Sequence, residues 1–81
     1  MSYEQVMEKL REVFYDVFDD ENLEINENTT ANDIEEWDSL EQIHIIMGCE
    51  KKFGVKFEIS EVNKMKNVGE MVSLIVSKVS E

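Results

Sequence analysis

The side chains in this sequence best placed for covalent chemistry are the Ser39 hydroxyl, the Cys49 thiol and the His44 imidazole. Ser39 lies in Asp38-Ser39-Leu40, where an acidic loop gives way to an amphipathic run from about Leu40 to Phe53. A hydroxyl at such a junction faces solvent and is open to modification. A phosphate attached there would sit against unpaired amides and the positive end of the helix dipole. The same residues also fit a structural role, because Ser39-Leu40-Glu41-Gln42 reads as a capping box in which Ser39 and a Gln at N3 satisfy free amides. The two roles are compatible.

A nucleophilic serine in an enzyme needs a base within reach. His44 is the sole histidine, and five residues along a helix turn it about 140° from Ser39, which rules out a local serine–base pair. His44 is therefore read as a surface residue. Cys49 is the sole cysteine, so no internal disulfide can form. It falls on an apolar stripe, as a small buried side chain does, whereas a reactive thiol needs exposure and a lowered pKa. No Gly-rich phosphate loop, metal-ligand cluster or H-E-x-x-H pattern is present. The Asp19-Asp20-Glu21 run lacks the alternating ligands and turn glycine of a calcium loop. Neither a catalytic nor a metal site is expected, and the chain reads as a non-enzyme.

The helix that follows Ser39 carries two apolar stripes at 100° per residue. Ile45, Ile46, Cys49 and Phe53 fall within a sector of about 100°, the width of a core-facing stripe. Leu40, Ile43 and Met47 form a second, narrower stripe beyond the Ser39 direction, flanked by Glu41, His44, Glu50 and Lys51. One face packs inward; the other is free for a partner.

Charge singles out the same region. The formal net charge is −11, with 15 acidic and two basic side chains in residues 1–50 but four acidic and six basic in residues 51–81. Acidity is thus concentrated around the first helix, the long loop and Ser39. Such a surface argues against a nucleic-acid partner and suits a basic protein partner. No stretch nears the roughly 18 apolar residues of a membrane span, and the N-terminus lacks signal-peptide regions, so a cytoplasmic protein is expected.

The elements that must position Ser39 can be read from periodicity. Eighty-one residues suffice for one small domain, 1–81. A first helix begins near Ser2, where Ser2-Tyr3-Glu4-Gln5 is a capping-box pattern, and carries Tyr3, Val6, Leu10, Val13, Phe14 and Val17 inward. From about Asp19 to Trp37 the pattern is lost, and a loop of that length needs anchors, for which Leu23, Ile25, Ile34 and Trp37 are the candidates. Gly54 can close the second helix in a left-handed conformation. Val55–Ile59 alternates like a strand but has no strand to pair with, and reads as an extended connector. Ser60 is expected to cap a short helix bearing Val62 and Met65, and Asn67 with Glu70 to cap a last helix bearing Val68, Met71, Val72, Ile75 and Val79. The predicted fold is all-α: three longer helices and one short one around a shared core, with a long loop between helices 1 and 2.

Asp38-Ser39-Leu40, continued through Ile43, Ile45, Ile46, Met47, Glu50 and Phe53-Gly54 into Phe57, Val62, Met65 and Val68-Gly69, resembles the acyl carrier protein family in spacing and residue type. Residues 1–18 fit that family's first helix, so the resemblance covers essentially the whole chain. It implies a monomeric carrier with an acyl-carrier-like helical bundle. Ser39 would receive 4′-phosphopantetheine from coenzyme A through a magnesium-dependent phosphopantetheinyl transferase, making the chain a phosphoprotein. Acyl groups would then travel as thioesters on the arm's thiol between enzymes of fatty acid, polyketide or a dedicated biosynthesis within lipid metabolism. By the same resemblance, Asp38, Glu41 and Glu50 would steer toward basic docking patches, and Leu40, Ile43 and Met47 would make the apolar contact.

Several positions depart from the family pattern. His44 stands where a glutamate is common, Cys49 where a core leucine is, and Lys64 and Lys66 make the third helix more basic. Glu36-Trp37 before the tripeptide points to a pathway-dedicated carrier, and the G-G-x-S site of peptidyl carriers is absent. The competing class is an acidic helical interaction module in which Ser39 only caps a helix.

Overall fold

Ser2 starts the first helix as its neighbours predict: its hydroxyl accepts the Gln5 N–H at 3.2 Å and the Gln5 side chain accepts the Ser2 N–H at 2.9 Å. From that box α1 runs Tyr3–Phe18. In the computed structural model, which describes residues 2–34 and 36–79, it is followed by α2 (Ser39–Phe53), α3 (Ile59–Lys64) and α4 (Val68–Val79). No strand occurs among the described residues. The expected domain 1–81 also takes in Met1, Glu35, Ser80 and Glu81, which lie outside them.

The core lies where α1 meets both α2 and α4. Val6, Met7, Leu10, Val13, Phe14 and Phe18 of α1 pack with Ile45 and Cys49 of α2 and Val68, Met71, Val72 and Ile75 of α4. Two expectations for α1 are corrected: Tyr3 is exposed, and Met7 and Phe18 are buried where the sequence reading omitted them. They widen the inward stripe to a face that reaches both partner helices. On α2 only Ile45 and Cys49 are fully buried, while Ile46 and Phe53 are half-buried at the edge of the stripe. Glu12 and Lys52 close the far end of the α1–α2 seam in an ion pair of 2.7 Å.

The long loop is anchored as expected. Ile25 and Ile34 are buried, and Leu23 and Trp37 pack against the core. Its backbone is tied down as well: Arg11 Nε donates to the Ile25 carbonyl at 3.1 Å, and Val68 and Gly69 N–H donate to the Thr29 and Glu27 carbonyls, each at 2.8 Å. A side chain at Gly69 would place its Cβ 2.8 Å from the Glu27 carbonyl oxygen, so this docking of α4 on the loop depends on glycine. The buried Thr29 hydroxyl accepts the Asn26 N–H at 3.0 Å, closing a turn within the loop.

Gly54 ends α2 at φ 66°, where its N–H donates to the Glu50 carbonyl at 2.9 Å. The connector is shorter than predicted, because α3 begins at Ile59 rather than after Ser60. Glu58, not Ser60, is its N-cap position: the Glu61 carboxylate reaches back to the Glu58 N–H at 2.9 Å and fixes the turn two residues earlier. At α4, Asn67 caps as expected, its Oδ1 accepting the Glu70 N–H at 2.8 Å. Glu70 accepts instead from the Lys66 N–H, just outside the helix.

Candidate functional site

The residues that place Ser39 arrive from the loop. The Trp37 ring stands edge-on to Phe14 at 5.1 Å between centroids, and its Nε1–H donates to the Gln42 side-chain oxygen at 2.5 Å. The end of the loop is thereby fixed both to α1 in the core and to the first turn of α2. Asp38 then adopts an extended backbone, and its carboxylate accepts the Glu41 N–H at 2.9 Å.

Asp38 is therefore the N-cap, and the expected capping by Ser39 is corrected. Two adjacent residues compete for the position, and an ionised carboxylate beats a neutral hydroxyl because it makes a charge-assisted bond and faces the positive end of the helix dipole. The Gln42 side chain, which the box pattern would send back to Ser39, is occupied by Trp37. Ser39 becomes the first helical residue; it is exposed, and its hydroxyl makes no hydrogen bond to any described residue. The Ser39 and Leu40 amides have no intrahelical acceptor, as at any helix start.

Of the other site candidates, Leu40, Ile43 and Met47 lie on one outward stripe with 59, 55 and 60 % of their surface exposed. Glu41 is only partly exposed and faces His44, whose Nδ1 is 3.4 Å from its Oε1. Glu50 is set apart from the outward stripe: it is half-buried, and its carboxylate accepts the Phe57 N–H at 2.9 Å, binding the connector to α2. Asp38 is exposed but committed to the cap.

Beside Ser39 opens a cleft of about 790 Å³ between α2 and α3. Trp37, Ile46, Phe57, Val62, Met65 and Met71 give it an apolar lining, and Asp38, Ser39, Asn63 and Lys66 are among its polar residues. Periodicity along single helices could not reveal it, since its lining is drawn from the loop, α2, the connector, α3 and α4 together. Cys49 does not line it; burial pushes that thiol up to about 12, leaving it protonated and unreactive near neutral pH. His44 faces Glu41 and is not hydrogen-bonded to Ser39. No group of three or more His, Cys, Asp or Glu residues suited to a metal ion occurs among the described residues.

A free, exposed hydroxyl on the first turn of a helix offers its oxygen to an electrophilic phosphorus, with room beside it for a long substituent. Residues 8–75 match the family model described as "Phosphopantetheine attachment site". The chain belongs to this family. It is 35 % identical over 78 residues to the acyl carrier protein of Lactobacillus acidophilus, covering 95 % of this chain and 96 % of that one. With the acyl carrier protein of Petrotoga mobilis the identity is 30 % over 80 residues, covering 99 and 94 %. The fold is similar to the solution structure of holo acyl carrier protein from Geobacter metallireducens, with a TM-score of 0.87 and 36 % identity over 93 % of this chain and 86 % of that one. The protein is thus an acyl carrier rather than a catalyst, and it carries phosphopantetheine covalently. When attached, that group supplies a thiol on which acyl groups are held as thioesters. The start of α2 would fit such a group: its first amides have no intrahelical acceptor and could face a phosphate, and the cleft adjoins Ser39.

Proposed function

We propose that Ser39 is the attachment residue and that the chain, as one carrier domain spanning 1–81, acts as a monomer in the cytoplasm for a dedicated biosynthetic pathway. The observation that carries the assignment of Ser39 is the division of labour at the start of α2. Asp38 performs the capping, which leaves the Ser39 hydroxyl exposed and without a hydrogen-bond partner among the described residues. A serine needed only as a cap would be using that hydroxyl.

The face offered to partners is the outward stripe of Leu40, Ile43 and Met47, framed by the carboxylates of Asp38 and Glu41. Basic patches on the phosphopantetheinyl transferase and on acyl-handling enzymes complement it, and the exposed charges make the encounter fast and sensitive to salt. Of the three acidic candidates Glu50 contributes least to steering, since its carboxylate holds the connector. Departures at His44, Lys64 and Lys66 from the family pattern support a pathway of its own over exchange with a general fatty-acid carrier.

The test is the intact mass after incubation with coenzyme A, magnesium and a broad-specificity transferase. The parent gains one phosphopantetheine and Ser39→Ala gains none. A folded parent that stays unmodified by both this transferase and its native one refutes the assignment and favours the interaction module.

A further inference from the structure

Helix α3 forms one wall of the cleft beside Ser39, yet none of its residues is buried. Ile59 at its start is 81 % exposed. A six-residue helix is too short to be stable by itself, so contacts outside it decide where it lies. Those contacts converge on Lys78 in the last turn of α4. Its Nζ is 3.0 Å from the Glu61 carboxylate of α3 and 5.5 Å from the centroid of the Phe57 ring in the connector. The same Glu61 oxygen accepts the Glu58 N–H that starts α3, and the Phe57 N–H is held by Glu50 of α2. Both charged partners are shielded, the Lys78 side chain being 20 % and that of Glu61 29 % exposed. One ammonium thus ties α4 to the connector and to the cleft wall.

We propose that Lys78, Glu61 and Phe57 form a clasp that holds α3 closed over the Ser39 cleft, and that release of the clasp lets α3 swing out while α1, α2 and α4 stay packed. The main core needs nothing from α3: its fully buried side chains all lie on the other three helices. Of those side chains only Met71 also lines the cleft, so opening α3 uncovers one edge of the core and leaves the packing of α1 on α2 and α4 in place. The inference relies on the reading of Ser39 only for what an open cleft would admit. Opening itself is measured on the unmodified chain, so failure of Ser39 to accept the arm leaves the test intact.

The test compares the unmodified parent with Lys78→Met, which keeps an apolar stem over Phe57, and with Glu61→Gln. Lys51→Met, removing an exposed lysine with no partner among the described residues, is the control. Two readouts are used: amide hydrogen exchange, and acrylamide quenching of Trp37, the sole tryptophan, which lines the cleft opposite α3. Loss of an ion pair and a cation–π contact should speed exchange at Phe57, Glu61, Val62 and Met65 by roughly three- to thirty-fold in Lys78→Met. Glu61→Gln should do so by less, and Trp37 quenching should rise in both. Amides of Leu10, Ile45 and Val72 should keep their parental rates. Unchanged α3 amides and quenching in both variants overturn the proposal. So does the same acceleration in Lys51→Met, or an equal acceleration throughout α1, α2 and α4.

Discussion

Replacing Asp38 and Ser39 separately by alanine tests the division of labour at the start of α2. Asp38→Ala removes the carboxylate that accepts the Glu41 N–H at 2.9 Å and faces the helix dipole. Loss of such a cap costs about 1 kcal/mol, within a range of roughly 0.5–2. Unfolding entropy near 2.1 cal/mol/K per residue gives this 81-residue chain about 170 cal/mol/K, so the variant should melt about 6 °C lower. Ser39→Ala removes a hydroxyl with no partner among the described residues, at an exposed first helical position where alanine is at least as good a helix former. Its stability should stay within about 0.5 kcal/mol of the parent. Urea and thermal melts of unmodified protein, followed by far-UV circular dichroism, give both numbers, and the double variant should match Asp38→Ala alone. If Ser39→Ala loses as much as Asp38→Ala, or more, the serine is the cap after all, and the argument that its hydroxyl is kept free fails.

Gly69→Ala should destabilise the protein by about 1–3 kcal/mol in urea melts, since the new methyl meets the Glu27 carbonyl and pushes α4 off the loop; parental stability would show that the loop yields freely. The Glu58 N–H, and after it Lys78, hold the Glu61 carboxyl below its ordinary pKa of 4.5. The stabilisation linked to this depressed value is present above pH 4.5 and is lost as pH falls through the folded value. A carbon-detected NMR titration of Lys78→Met should find Glu61 raised toward 4.5 but still below it, because the Glu58 amide remains; an unchanged value would show that Lys78 has no influence. Cys49 should resist iodoacetamide at pH 8 in the folded, unmodified protein and react fully in guanidinium, as expected of a buried thiol held near 12. Prompt labelling of folded protein would contradict that burial.

Local chemistry was readable from the sequence wherever one candidate stood alone. Ser2 with Gln5 starts α1, Gly54 ends α2, and Asn67 caps α4, each without a rival within a residue. At Asp38 and Ser39 two capping residues adjoin, and both fit the pattern: Asp38 with Glu41 at N3, and Ser39 with Gln42. Sequence alone could have posed that choice, but the outcome depends on Trp37, whose indole takes the Gln42 side chain and whose ring is set by Phe14 on another helix. Glu50 shows the same limit. Along α2 it flanks the outward stripe, but its carboxylate is taken by a backbone amide seven residues on. The cleft likewise is lined from several elements at once, and α3 starts two residues early because Glu61 reaches back to Glu58.

The burial of Cys49 bears on the fidelity of the cargo. A thioester is readily passed to any nearby thiolate, and a carrier with an exposed thiol of its own could take its passenger off the arm and strand it on the polypeptide. Cys49 is fully enclosed and stays protonated at neutral pH, so the folded chain offers no competing thiolate of its own. The acyl group is therefore not drained onto a thiol of the polypeptide, and once it has been handed on, the thiol that the protein exposes is that of the arm.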